Sequence, residues 1–197
     1  EWLDVRPETE QKDEDQFSTV NGFFDALVGC YMSMADDDAY GQRLSYSSIE
    51  LLANMWYIPT STTSEEYEDL SNHDYTTDDA RNAISEIYSG LFYVIAQANM
   101  VLENAEAHGE EVFVDETMLN VVKGEAYAIR AFCQFDVLRL FGQLPQGGSQ
   151  QVELPYNLGT GISEIPAYYS FSDYVELLKS DLEQAESYLT GNDPVYD

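Results

Sequence analysis

The chain has 197 residues, 37 of them Asp or Glu and only 8 Lys or Arg, for a formal charge of −29, and 44% of it is hydrophobic. That length allows one domain with a substantial core, or one half of a larger domain, and the apolar content belongs to a folded protein. A surface this acidic repels phosphates and anionic headgroups, which excludes nucleic acid as a partner; it reads as a solvated face, or more sharply as a lure for cations or a basic partner.

Residues 1–12 form an extended arm, because Arg6-Pro7 disfavours helix. From about Glu14 to Met34, Phe17, Val20, Phe24, Leu27, Val28 and Tyr31 make a helical stripe. Asp36 to Gly41 looks briefly like a calcium loop, but Tyr40 and Ser47 occupy the places that need an oxygen ligand and a glutamate, so it reads as a solvated acidic turn. Residues 42–57 carry a looser helical pattern that gives way before Pro59. From Ile58 to Asp79 the chain reads as a long polar loop, the first place to look for a ligand.

The cleanest stripe, Ala83, Ile84, Ile87, Leu91, Val94, Ile95, Ala98 and Leu102, predicts a helix from about Ala80 to Ala107, with His108-Gly109 as its stop. A second long helix follows, from an Asp115 N-cap to Phe141-Gly142. Two long helices joined by a short loop pack antiparallel. Within the second, Gly124 to Gly142 is apolar nearly all round, so protein must cover it on several sides. Gln143 to Pro166 is a glycine-rich loop without a phosphate-binding pattern. The last helix, Phe171 to Leu189, has a Ser170/Asp173 capping box and a Gly191 stop. Cys30 and Cys133 read as small core residues and give no disulfide framework. The predicted fold class is all-α: helix pairs stacked as a tetratricopeptide-like superhelix with long connecting loops.

Chemistry for turnover is absent from the sequence. His73 and His108 have no partner at metal spacing, no Gly-x-Ser-x-Gly elbow occurs, and carboxylates are too abundant for any pair to be nominated as acid and base. The reading is therefore a non-enzyme with no cofactor and no metal. What stands out is a set of loop aromatics and amides: Asn54, Trp56, Tyr57, Tyr67, Asn72 and Tyr75, with Tyr40 nearby. A sugar ring offers an apolar C–H face and a rim of hydroxyls, which an aromatic platform beside amides can hold. The competing reading is that these aromatics pack on the helices beneath them.

Glu125-Ala126, Arg130-Ala131 and Phe141-Gly142, followed by Pro145, resemble the most recognisable motif of the SusD/RagB family of outer-membrane nutrient-binding lipoproteins. Leu3-Asp4-Val5 with Pro7, Tyr93 with Ile95, Asn99 and Val101-Leu102, and Asp181-Leu182 with Ala185 and Leu189 agree in the family's order. The resemblance implies a mostly helical binding protein, not an enzyme, held at the surface of the outer membrane by a lipidated cysteine upstream of Glu1. It also implies capture of oligosaccharide or polysaccharide and its delivery to a SusC-like TonB-dependent transporter. On that resemblance residues 1–197 are an N-terminal SusD-like domain whose C-terminal half is absent. Glu125, Arg130 and Gly142 are expected to be structural, with Glu125 and Arg130 each satisfying a neighbouring helix or loop backbone. Sugar contact is expected from Trp56, Tyr57, Tyr67 and Tyr75 by stacking and from Asn54 and Asn72 by hydrogen bonding. The alternative is a helical-repeat interaction scaffold that binds no sugar itself; burial of Trp56 and Tyr75 would favour it.

Overall fold

The structure is a computed structural model and describes residues 15–59, 64–142, 151–161 and 167–194. The arm with Leu3-Asp4-Val5 and Pro7, and the glycine and proline positions Pro145, Gly147-Gly148 and Pro166, lie outside the described residues. Six helices occur among the described residues: α1 (Val20–Met34), α2 (Ser48–Leu52), α3 (Glu65–Asn72), α4 (Asp78–Val112), α5 (Glu116–Phe141) and α6 (Phe171–Leu189). A two-stranded antiparallel ribbon joins β1 (Gln151–Pro155) to β2 (Tyr168–Ser170), with Gln151 opposite Ser170 and Pro155 opposite Tyr168. The chain divides into two compact units, one of residues 1–30 with 95–197 and one of residues 31–94.

In the first unit, three helical segments lie side by side. Gly109 approaches Leu119, Lys123 Nζ lies 3.4 Å from Glu106, and Arg130 bonds Asn99, so contacts climb one helix while descending the other, and α4 and α5 are antiparallel. Gly124 against Leu189, Tyr127 against Tyr188 and Gln134 against Tyr174 show the same for α5 and α6. Caps that the sequence advertises are made: the Asp115 carboxylate accepts from Thr117 N at 2.9 Å, and Ser170 Oγ accepts from Asp173 N at 3.1 Å. Helix α6 ends one residue before the expected glycine, at Thr190 in an extended conformation, and Gly191, with φ +74°, takes the left-handed place of the turn that follows, closed by Asn192 N to Leu189 O at 3.0 Å.

At the centre of this unit, residues far apart in sequence converge. The Arg130 guanidinium, buried between the helices, donates from Nε to Asp181 Oδ2 at 2.8 Å, from Nη2 to Asp181 Oδ1 at 2.6 Å and from Nη1 to Asn99 Oδ1 at 2.9 Å. Tyr156, just after β1, donates its hydroxyl to Asp181 Oδ2 at 2.6 Å. Asn99 Nδ2 in turn reaches the carbonyls of Asn157 and Gly159, both at 3.2 Å. Arg130 thus satisfies side chains of α4 and α6 rather than backbone; a bidentate fork needs a planar carboxylate, and Asp181 supplies one. Asn99 is the residue that reaches the loop backbone. Glu125 sits half-buried on α5.

Local signals misjudged several boundaries. Helix α4 runs through His108-Gly109 to Val112; a Cβ at Gly109 would sit 2.7 Å from Leu119 Cδ1, so this glycine admits the neighbouring helix instead of stopping its own. The polar loop expected over Ile58 to Asp79 contains α3, whose Leu70 joins Leu51, Ala80 and Ala83 in the core of the 31–94 unit. The helix expected over 42–57 shrinks to α2, and the glycine-rich loop contains β1. Helix α5 is covered by α4 and α6, yet Phe132 and Phe135 stay about half exposed, so its coverage is two-sided. Cys30 and Cys133 are both buried, and neither is in a disulfide.

Candidate functional site

The six nominated residues fall in the 31–94 unit: Asn54, Trp56 and Tyr57 just after α2, Tyr67 and Asn72 on α3, and Tyr75 just after it. Both helices end in the same way. After α2, Asn54 N bonds Leu51 O and Met55 N bonds Glu50 O, each at 3.0 Å, with Asn54 at φ 53°. After α3, His73 N bonds Leu70 O at 3.2 Å and Asp74 N bonds Asp69 O at 2.9 Å, with His73 at φ 56°. These are Schellman closures whose left-handed position is usually glycine. Asn and His pay a modest conformational penalty there, about 1 kcal/mol, and in exchange turn the chain outward where the aromatics begin.

Beyond the first cap, Trp56 is 44% and Tyr57 85% exposed, with Asn54 and Met55 also exposed. Beyond the second, Tyr75 is 47% exposed; Asn72, the last residue of α3, is exposed as well. Tyr75 is bracketed by Asp74 and Thr76: the Thr76 hydroxyl and amide donate to Asp74 Oδ1 at 2.6 and 3.0 Å. Those bonds, the hydroxyl's first, hold the Asp74 carboxyl below its usual range. Tyr67 differs from the others, since it lies on α3 and packs partly against the Leu51 and Leu70 core.

His73 ties the two segments together. Its Nε2 lies 3.0 Å from the Leu52 carbonyl, which can only accept, so this nitrogen carries the proton. The ring meets Tyr75 edge-on at a centroid distance of 6.1 Å. Sequence reasoning noted His73 only as lacking metal partners; the signal available was a histidine directly after a helical Asn, a position that tolerates left-handed backbone.

A second feature of the same unit is the Arg43 guanidinium, which bonds Glu66 at 2.7 Å, Glu86 at 2.6 Å and Asp38 at 3.3 Å. It draws the turn at Asp37–Gly41, α3 and α4 to one point. Among the described residues, no grouping of His, Cys, Asp and Glu could hold a metal ion, and no helix is long and apolar enough to cross a membrane.

Known proteins resemble the chain over most of its length. Residues 1–187 match the SusD-like family described as starch-binding associating with outer membrane. A "SusD-like protein P38" of Formosa agariphila is 28% identical over 190 residues, covering 95% of this chain and 34% of that protein; "SusD-like protein P2" of the same organism is 28% identical over 132 residues, covering 67% and 25%. A crystal structure of a SusD superfamily protein from Bacteroides thetaiotaomicron superposes with a TM-score of 0.64 at 17% identity, over 86% of this chain and 37% of that one. The chain therefore spans about a quarter to a third of the length of these curated relatives. With the family match across nearly its whole length and the fold shared, the chain belongs to the SusD-like family.

Proposed function

We propose that this chain is the N-terminal part of a cell-surface glycan-binding protein that captures oligosaccharide or polysaccharide and passes it to a SusC-like TonB-dependent transporter. It works by binding, without turnover or cofactor, at the outer membrane, held there by a lipid on a cysteine upstream of Glu1. Family membership supports the glycan and the membrane association. The observation that carries the local reading is the exposure of Trp56, Tyr57 and Tyr75 on two segments joined through His73. Aromatic rings left in water on ordered backbone cost solvation that a sugar's C–H face recovers. Asn54 and Asn72 serve as hydroxyl partners, and Tyr67, packed partly against the core, adds a further aromatic face. A scaffold in which these aromatics are core would bury Trp56 and Tyr75, and neither is buried.

Calorimetry of the full chain with a panel of neutral glycans tests the platform. The Trp56→Ala/Tyr75→Ala double variant is expected to lose affinity by about tenfold or more, since an aromatic contact contributes about 0.5–1.5 kcal/mol. Equal affinity in variant and parent would refute the assignment.

A further inference from the structure

A groove of about 430 Å³ opens wholly within the 31–94 unit, away from the two aromatic-bearing segments. Its wall on the α1 side is Ser33 and Asp36; its wall on α4 is Ser85, Ser89, Gly90 and Tyr93. The small residues keep it open: at Gly90 even a Cβ would sit 3.6 Å from the Asp38 carbonyl, so a larger side chain would occupy the space. Tyr93 stands at the rim, 60% exposed. The hydroxyls of Ser33, Ser85 and Ser89 make no hydrogen bond to another described residue, and neither does the Asp36 carboxylate. The groove thus combines one aromatic face, three uncommitted hydroxyls and one uncommitted carboxylate. That set matches a pyranose ring with its apolar face and polar rim.

The charge around the groove narrows the class further. The 31–94 segment carries twelve carboxylates against two arginines, and both arginines are already committed: Arg43 to Asp38, Glu66 and Glu86, Arg81 to Asp78. Asp38 and Glu86 also line the groove. An anionic sugar would find no free cation here and would lie well inside one screening length, about 8 Å at physiological salt, of several carboxylates. A ring bearing a free ammonium would meet Asp36 directly and the Tyr93 face as a cation–π partner.

We infer that this groove is a second saccharide subsite, selective for sugars with a free amino group. The inference rests on the reading of the chain as a glycan binder. Its test is an NMR titration of the full chain with a β-1,4-linked glucosamine tetramer, its N-acetylated counterpart and a galacturonate tetramer. Maltohexaose reports on the separate Trp56 platform. The expected result is binding of the glucosamine tetramer in preference to the other two tetramers. Tyr93→Ala and the groove-filling Ser89→Trp should each weaken it about tenfold, the scale of one lost aromatic contact, and leave maltohexaose binding unchanged. Asp36→Asn should weaken it and flatten its dependence on salt. Unchanged glucosamine binding in both Tyr93→Ala and Ser89→Trp overturns the subsite, and equal binding of the N-acetylated tetramer overturns the amino selectivity. Maltohexaose binding without any glucosamine binding removes the groove and leaves the glycan reading standing. Absence of binding to every probe removes both.

Discussion

Arg130 shows how one side chain can hold three stretches of sequence at once. Its bidentate pair with Asp181 and its bond to Asn99 are buried, so the favourable Coulomb energy is set against a desolvation cost of several kcal/mol per ion, and the pair's net contribution is smaller than its geometry implies. Removing one partner is another matter. Arg130→Ala leaves the Asp181 carboxylate uncompensated, and the expected loss is about 3–5 kcal/mol. In a chain of this size that lowers the melting temperature by on the order of 10 °C, readable by circular dichroism. Arg130→Lys should rescue little, because an ammonium cannot make the fork; an unchanged melting temperature in the alanine variant would remove the structural role. Protons are held as firmly as charges. Burial pushes the Cys30 thiol up to about 11, and burial followed by the Asp181 carboxylate raises the Tyr156 phenol above its ordinary value. Both groups bind their proton more tightly folded than unfolded, so the stability they contribute is complete below their unfolded values. That contribution falls as pH rises, for Cys30 between about 9 and about 11. Denaturant titrations should therefore be level between about pH 7 and 9 and decline above that, and Cys30→Ala should flatten the decline. A stability curve still level at pH 11 would contradict the assignment.

Elements join here through small residues and caps as much as through apolar stripes. Gly124 lets α5 and α6 approach so closely that an added Cβ would lie 2.6 Å from Leu189 Cγ and 3.1 Å from Tyr188 Cβ. Beside it the aromatic and cationic groups are layered: Lys123 over Tyr188 at 5.7 Å, Tyr188 stacked on Tyr127 at 5.9 Å and 8°, and Arg130 over Tyr127 at 5.1 Å. Gly124→Val should overpack this contact and cost about 1–3 kcal/mol, although helix propensity by itself favours valine over glycine. A variant as stable as the parent in urea would mean that the two helices separate without penalty. The paired left-handed caps at Asn54 and His73 work at the same scale. They set the direction of the segments after α2 and α3 through paired backbone bonds, to which His73 adds a side-chain bond to the Leu52 carbonyl.

Across the molecule the dominant long-range term is the charge of −29. Like charges at this density oppose the compact state, and the ion pairs among the described residues engage few of the 37 carboxylates. The melting temperature should rise as sodium chloride goes from 10 to 500 mM, because screening relieves more repulsion than it removes attraction; a falling value would show that the ion pairs outweigh the repulsion. What the amino-acid order determined by itself is the local part of the fold. The spans of α5 and α6 follow from 3.6-residue periodicity, and their starts follow from Asp115 and Ser170, whose cap bonds close within three residues. The gathering of aromatics and amides between Asn54 and Tyr75 is equally local, a matter of composition and loop chemistry. Tertiary structure alone decided the rest. Asp181 lies 51 residues from Arg130, and no periodicity names it. Gly109 looked like a stop until Leu119 occupied the space where a side chain would be. Helix α3 is too short and too acidic to announce itself and is held by Leu70 in a shared core. Whether Trp56 and Tyr75 face water or the core depends on that same packing, since burial is a property of neighbours and a residue's type states only what it would gain from them.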